Sequence, residues 1–149
     1  MTVSQISVFA NSKPGHMGRV LDLFEAAGVS VRGFSAADTG EYGILRFVVD
    51  KPEAALAALQ EAGCACVITP VLCLKLEDTP GELSRVMGVL ARCDINVVYS
   101  YSMISTYIVL STTDTKRAFE LLSGEPVEMI SQDDIARFVA DRSEKEAAK

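Results

Sequence analysis

The chain has 149 residues, of which 49% are apolar and 7% aromatic, with no Trp and a formal net charge of -6. That length permits one ordinary domain or two very small ones, and the acidic balance lacks the basic footprint of a nucleic-acid binder. No apolar run approaches the roughly 18 residues a membrane helix needs, and "MTVSQISVFANSK" has neither the basic start nor the apolar core of a secretory signal. Neither nucleic acid nor membrane is therefore expected as a partner. Cys64, Cys66, Cys73 and Cys93 are expected to be free thiols in a reducing cytoplasm.

The first element is an every-second-residue apolar row, Ile6, Val8 and Ala10, which predicts a strand with one buried face. A polar loop, Asn11-Ser12-Lys13, leads into Pro14-Gly15. Met17, Val20, Leu21 and Phe24 then recur at three-and-four spacing, one face of an amphipathic helix that Gly28 should end. A strand from Val29, a polar turn over Ala37 to Glu41 with Gly40 in it, and a returning strand from Tyr42 follow. Asp50 is placed to cap a second helix that Gly63 ends, and a short strand begins at Cys64.

The series then starts again. Moving along by 66 positions, the distance from Pro14 to Pro80, places Leu72, Leu74 and Leu76 on the first strand row and Leu83, Val86, Met87 and Leu90 on the helix face. Two different periods repeat in the same order, which a chance match of a Pro-Gly pair would not produce. The second copy departs in detail. Thr79-Pro80-Gly81-Glu82 reads as a capping box with Pro at the first helical position, whereas Lys13 replaces the Thr in the first copy. There the cap falls to Ser12, water or a ligand. Asp94 stands where Gly28 ends the first helix, and is a poorer terminator. The hairpin tip shrinks to an apolar Met103 to Ser105, and a helix from Asp114 to Gly124 and a strand from Val127 complete the unit. In the tail, Ser131 is placed to cap a short helix carrying Ile135, Phe138 and Val139, which frays beyond Arg142.

Strand, helix, strand, strand, helix, strand, performed twice, predicts an α+β fold of two ferredoxin-like βαββαβ sandwiches in tandem plus a short C-terminal helix. The expected domains are 1–69, 70–131 and 132–149, and Ile68 to Val71 leaves no flexible linker between the first two. Units near 70 residues have marginal cores and should gain by packing together.

The Pro-Gly turn has two readings. It is a good helix start, and it is also a place where unpaired amide groups and the positive end of the helix dipole would receive a small carboxylate. The strand rows, "KPGHMGRVLDLFEAAGVSV" and "TPGELSRVMGVLARCDINV", resemble two consecutive ACT domains over residues 3–131. The resemblance implies an amino-acid-binding regulatory module whose site lies between the strand-to-helix loop of one module and the second-strand start of another. Carried onto this chain, the site residues are Asn11, Ser12, Gly15, His16 and Ser30 in the first half, and Asp78, Gly81, Glu82, Leu83 and Asn96 in the second. Asn96 matches a position where ACT sensors often carry a ligand-contacting Asn. Ser30 replaces it in the first half, and Ser12 replaces Asp78, so the second-half loop is expected to be the better site.

The resemblance also implies allosteric signalling through association, a homodimer, and output to a separate metabolic enzyme, since the chain has no effector domain of its own. No Gly-x-Ser-x-Gly, P-loop or dinucleotide fingerprint occurs, so no catalysis, cofactor or metal is expected. One alternative is a scaffold subunit with vestigial pockets. Another, resting on the four cysteines, is a thiol- or metal-handling ferredoxin-like protein. His16 is expected to be an exposed residue of the first helical turn or a pH-sensitive ligand contact. Arg32 and Arg46 should lie on the sheet face away from the helices, as surface charges or as partners of carboxylates across an interface. Met103 and Ile104 at the apolar tip point to a covered surface. Tyr99 and Tyr101 alternate on their strand and fit core or interface positions.

Overall fold

A computed structural model describes residues 1–103 and 107–138. In chain order the elements are β1 (Val3–Asn11), α1 (His16–Ala26), β2 (Val31–Asp38), β3 (Tyr42–Val49), α2 (Pro52–Glu61), β4 (Ala65–Lys75), α3 (Glu82–Arg92), β5 (Val97–Ser102), β6 (Tyr107–Thr112), α4 (Thr115–Ser123) and β7 (Glu128–Ile130). A last helix, α5, occupies 132–138. The fold is α+β, a βαββαβ unit performed twice. Ile104, Val139 and the charged end beyond Arg142 lie outside the described residues.

By contacts the chain divides into two compact units. The first unit is Ser4–Thr69 with the segment from Gln132 onward, and the second is Pro70–Ser131 with Met1–Val3. The first has the strand order β2-β3-β1-β4 and the second β5-β6-β4-β7, the same topology in each. The Gln132 side chain ties the start of α5 to the first unit. It accepts from the Ser4 amide at 3.1 Å and donates to the Val49 carbonyl at 3.0 Å.

The 66-residue repeat is visible in the packing. Ile6, Val8, Val20, Phe24 and Val29 sit in the first core, and Leu72, Leu74, Val86, Leu90 and Ile95 take the corresponding places in the second. Helices α1 and α3 begin and end at matching positions. Both close with the same pair of terminal bonds. Val29 donates to Phe24 and Gly28 to Glu25 in the first, and Ile95 to Leu90 and Asp94 to Ala91 in the second. This is the Schellman pattern, which demands a left-handed residue after the helix. Gly28 supplies it freely at φ +66°, whereas Asp94 adopts φ +57° at a steric cost. The edge strands also agree. In β2 and in β5 one extra residue, Arg32 and Val98 respectively, stands outside the ladder as a bulge.

The interiors differ in chemistry. Phe24 and Phe47 meet edge to face with centroids 5.1 Å apart in the first unit, while the aliphatic Leu90 and Leu110 take the matching places in the second. Strand β1 is not buried on one face alone. Gln5 and Ser7, on the face opposite Ile6 and Val8, are also buried, and the Gln5 amide donates to the Ser7 hydroxyl at 3.3 Å. Met103 at the second hairpin is buried too, with its sulfur 3.8 Å from that of Cys73. Tyr99 and Tyr101 are half-buried and stack on each other.

Several local expectations are corrected. Pro80 is not the first helical residue, because α3 starts at Glu82 with Gly81 as its N-cap and no side-chain capping bond. Asp50 does not cap α2, whose N-cap is Lys51; its carboxylate instead accepts from the Ser30 amide at 2.8 Å. His16 is half-buried, not exposed. Arg32 and Arg46 are half-buried as well, and the Arg32 Nε is enclosed without a hydrogen-bond partner. Asp114, by contrast, caps α4 as its sequence position suggests, accepting from the Arg117 amide at 3.0 Å.

Candidate functional site

The Pro-Gly motif builds the same turn in both units. The His16 amide donates to the Lys13 carbonyl at 3.4 Å, and the Glu82 amide to the Thr79 carbonyl at 3.3 Å. Gly15 lies at φ +84°, ψ −6° and Gly81 at φ +87°, ψ −6°. Pro at the second place and a positive-φ residue at the third make a type II turn, which explains why glycine follows proline. A Cβ at either glycine would meet nothing within 4 Å, so backbone conformation, not crowding, requires the glycine. Neither α1 nor α3 has a side-chain cap, so neither helix start has its first amides satisfied from within by a side chain.

In the first unit this turn borders a recess of about 210 Å³ lined by Asn11, Ser12, Lys13, His16, Met17 and Asp38, with small residues of β2 and β3 behind them. Three of the residues expected at the site, Asn11, Ser12 and His16, thus meet here, and Gly15 lies between them in the chain. Asp38, at the end of β2, was not anticipated. The Ser12 hydroxyl donates to its carboxylate, and the Gly40 amide donates to the other oxygen at 2.7 Å. These two bonds, the Ser12 hydroxyl foremost, hold the Asp38 carboxyl below the usual carboxylate range. The first unit therefore has an acid at its loop after all, supplied by the neighbouring hairpin and not by position 12. The one sequence signal for it was the polar turn itself, since Asp-Thr-Gly favours an Asp side chain bonded to the amide two residues on.

In the second unit a recess of about 300 Å³ is lined by Lys75, Leu76, Glu77, Asp78 and Glu128. Asp78 is there; Gly81, Leu83 and Asn96 are not among its walls. The Glu82 carboxylate is already occupied. Arg85 donates to both of its oxygens, at 2.7 and 3.1 Å, and to Glu125 at 2.7 Å. That fork holds the Glu82 carboxyl below its usual range. Leu83 is exposed.

Ser30 and Asn96 stand at equivalent places before β2 and β5. Each is bridged to the end of the third strand. The Ser30 carbonyl accepts from the Asp50 amide at 3.1 Å, and the Asn96 carbonyl from the Thr113 amide at 3.0 Å. The Asp50 carboxylate and the Thr113 hydroxyl receive the Ser30 and Asn96 amides in return. These bonds use only the backbone of Ser30 and Asn96. Neither residue lines the recess of its own unit.

The thiols are dispersed. Cys64 and Cys66 pack at the margin of the first core and Cys93 at that of the second. Burial pushes the Cys73 thiol up to about 12, and burial with the neighbouring Cys64 also raises Cys66, so neither favours the reactive thiolate. Among the described residues no three His, Cys, Asp or Glu side chains are placed to hold a metal ion, and no helix is long and apolar enough to cross a membrane.

Two units of one topology, each with a type II turn opening an uncapped helix, define a tandem βαββαβ architecture. The chain belongs to the ACT domain pair family, whose model matches residues 1–139. A crystal structure of a protein from Bacteroides thetaiotaomicron superposes with a TM-score of 0.86 at 25% identity, over 92% of this chain and 97% of that one. The ligand-free regulatory subunit of aspartate kinase from Thermus thermophilus matches with a TM-score of 0.60 at 18% identity, over 81% of this chain and 89% of that one. The corresponding subunit from Thermus flavus gives 0.58 at 15%, over 83% and 92%. No curated protein matches the chain in sequence.

Proposed function

We propose that this ACT domain pair is a non-catalytic regulatory protein that binds a small amino acid and passes the signal by association, as a homodimer, to a separate metabolic enzyme in the cytoplasm. The observation that carries this reading is the uncapped start of α1 beside a polar recess holding Ser12, His16 and the ionised Asp38. Amide groups and the positive helix end suit a carboxylate, and Asp38 suits an ammonium group. A ligand that binds one arrangement of two modules better than another shifts the population toward it. Fold similarity to regulatory subunits of aspartate kinase supports a role of this general kind. Asp78 is the matching acid on the second loop, and Asn96, whose side chain is exposed, is available to a ligand held by another module.

A specific observation favours a supporting role for the second unit: the Arg85, Glu82 and Glu125 cluster occupies the opening of α3 with the protein's own side chains. Thermal-shift screening of the standard amino acids, followed by calorimetry, separates these readings. Stabilisation by one or a few amino acids, weakened in Asp38→Asn and retained in Asp78→Ala, assigns sensing to the first unit. The reverse pattern assigns it to the second. No shift at millimolar ligand rejects the sensor and leaves the scaffold reading.

A further inference from the structure

Arg19 and Arg85 occupy the same place in the two units, one turn into the first helix, yet their surroundings differ. Arg85 is satisfied by two carboxylates, from Glu82 one turn before it and from Glu125 at the end of α4. In the first unit neither ion pair is formed among the described residues. His16 stands in place of Glu82, and the chain after α2 meets Arg19 with the Ala62 carbonyl, as the Pro126 carbonyl meets Arg85, but with no carboxylate in the manner of Glu125. Arg19 makes one bond, to the Ala62 carbonyl at 3.3 Å, and has no carboxylate partner among the described residues.

Beside Arg19 lies a recess of about 380 Å³, lined by Phe9, Asn11, His16, Arg19, Tyr42 and Gly63; it shares Asn11 and His16 with the Ser12 and Asp38 recess but contains neither Ser12 nor Asp38. Gly63 contributes no side chain to it, whereas in the second unit Glu125 brings a carboxylate to Arg85. The His16 Nε2 is enclosed and has no hydrogen-bond partner. Enclosed nitrogens are rarely left so, and His16, which lines this recess, carries one.

We propose that this recess is a second ligand site, taking a small dicarboxylate, one acid group of which supplies at Arg19 the carboxylate that Glu82 supplies to Arg85. The planar guanidinium receives one carboxylate in the two-pronged manner already displayed in the second unit. His16, Asn11 and the Tyr42 phenol are polar groups in the walls for the other end. The site differs from that of the amino-acid reading in using Arg19 and neither Ser12 nor Asp38, while Asn11 and His16 form a wall common to both.

Calorimetric titration of the full chain with succinate and glutarate tests it, with the uncharged diamide of succinate as control. Saturable binding of a dicarboxylate and none of the diamide is expected. Arg19→Gln should weaken it by about tenfold or more, the scale of a lost hydrogen bond to a charged group. His16→Glu should abolish it by rebuilding the Glu82 pairing inside the first unit, while Asp38→Asn leaves it unchanged. Circular dichroism confirms that each variant is folded. Absence of saturable binding to the wild-type chain overturns the proposal. So does equal affinity in wild type, Arg19→Gln and His16→Glu, and so does loss in Asp38→Asn with retention in Arg19→Gln, which moves the site to the neighbouring recess.

Discussion

The two units grow from one plan and finish it differently at the same spot. In the second, the opening of α3 is closed by an arginine and two acids of its own. In the first, the equivalent arginine faces an open recess, and the loop acid arrives from the end of β2. The scaffold residues, meanwhile, correspond position by position. A duplicated fold thus keeps its turn and its core, which set the backbone, and varies the few side chains at the helix mouth. Those side chains decide whether the mouth is a structural joint or a receptacle.

The broadest test of the common scaffold is truncation of matched core residues. Phe24→Ala should cost about 3–5 kcal/mol and Leu90→Ala about 2–5 kcal/mol, with the aromatic pair making the first unit the more sensitive. Urea unfolding measures both, and a negligible cost for either would break the equivalence of the two cores.

Next in size is the turn. Gly15→Ala and Gly81→Ala each force a Cβ into a left-handed conformation, with an expected loss of about 1–2 kcal/mol. Near-equal losses support a purely conformational duty for both glycines. A clear inequality would show that one turn is relaxed by something the other lacks.

The smallest effect concerns charge. Glu82 and Asp38 both titrate below the usual carboxylate range in the folded chain, Glu82 because of Arg85 and Asp38 because of Ser12 and Gly40. A lowered folded value means that the stabilisation is present above the ordinary carboxylate range and is lost as pH falls through the folded value. Glu82→Gln and Asp38→Asn should therefore each flatten the acid limb of a plot of melting temperature against pH. Only Glu82→Gln should reduce the salt sensitivity at neutral pH, since it alone removes an ion pair. Identical salt responses would remove the distinction drawn between the two helix mouths.

Much of the architecture could be read from periodicity. The 66-residue offset carried the helices, the paired core positions and the contrast of Gly28 with Asp94, because hydrophobic spacing and left-handed terminators are local properties. What sequence reading missed was the alternative a residue would choose. Thr79-Pro80-Gly81-Glu82 satisfies the pattern of a capping box, but Pro-Gly prefers the type II turn, and Glu82 has Arg85 within reach. Asp50 could cap a helix, and bonds the Ser30 amide in its place. Asp38 is 26 positions from Ser12, and Glu125 is 40 from Arg85; only the folded chain makes them neighbours. Arginine at matching places was legible in both halves. The difference between them was only half legible, because His16 in place of Glu82 is local whereas the Glu125 contact is made across the fold.

The bulges at Arg32 and Val98 carry a consequence for the behaviour of the chain in crowded solution. Strands β2 and β5 are terminal in the strand order of their units, and a terminal strand offers its unused amides and carbonyls to any stray extended peptide. An additional residue spoils the even cadence such a peptide would have to match and increases the local twist. Each rim is thereby a poor template for runaway fibre growth, a safeguard written twice.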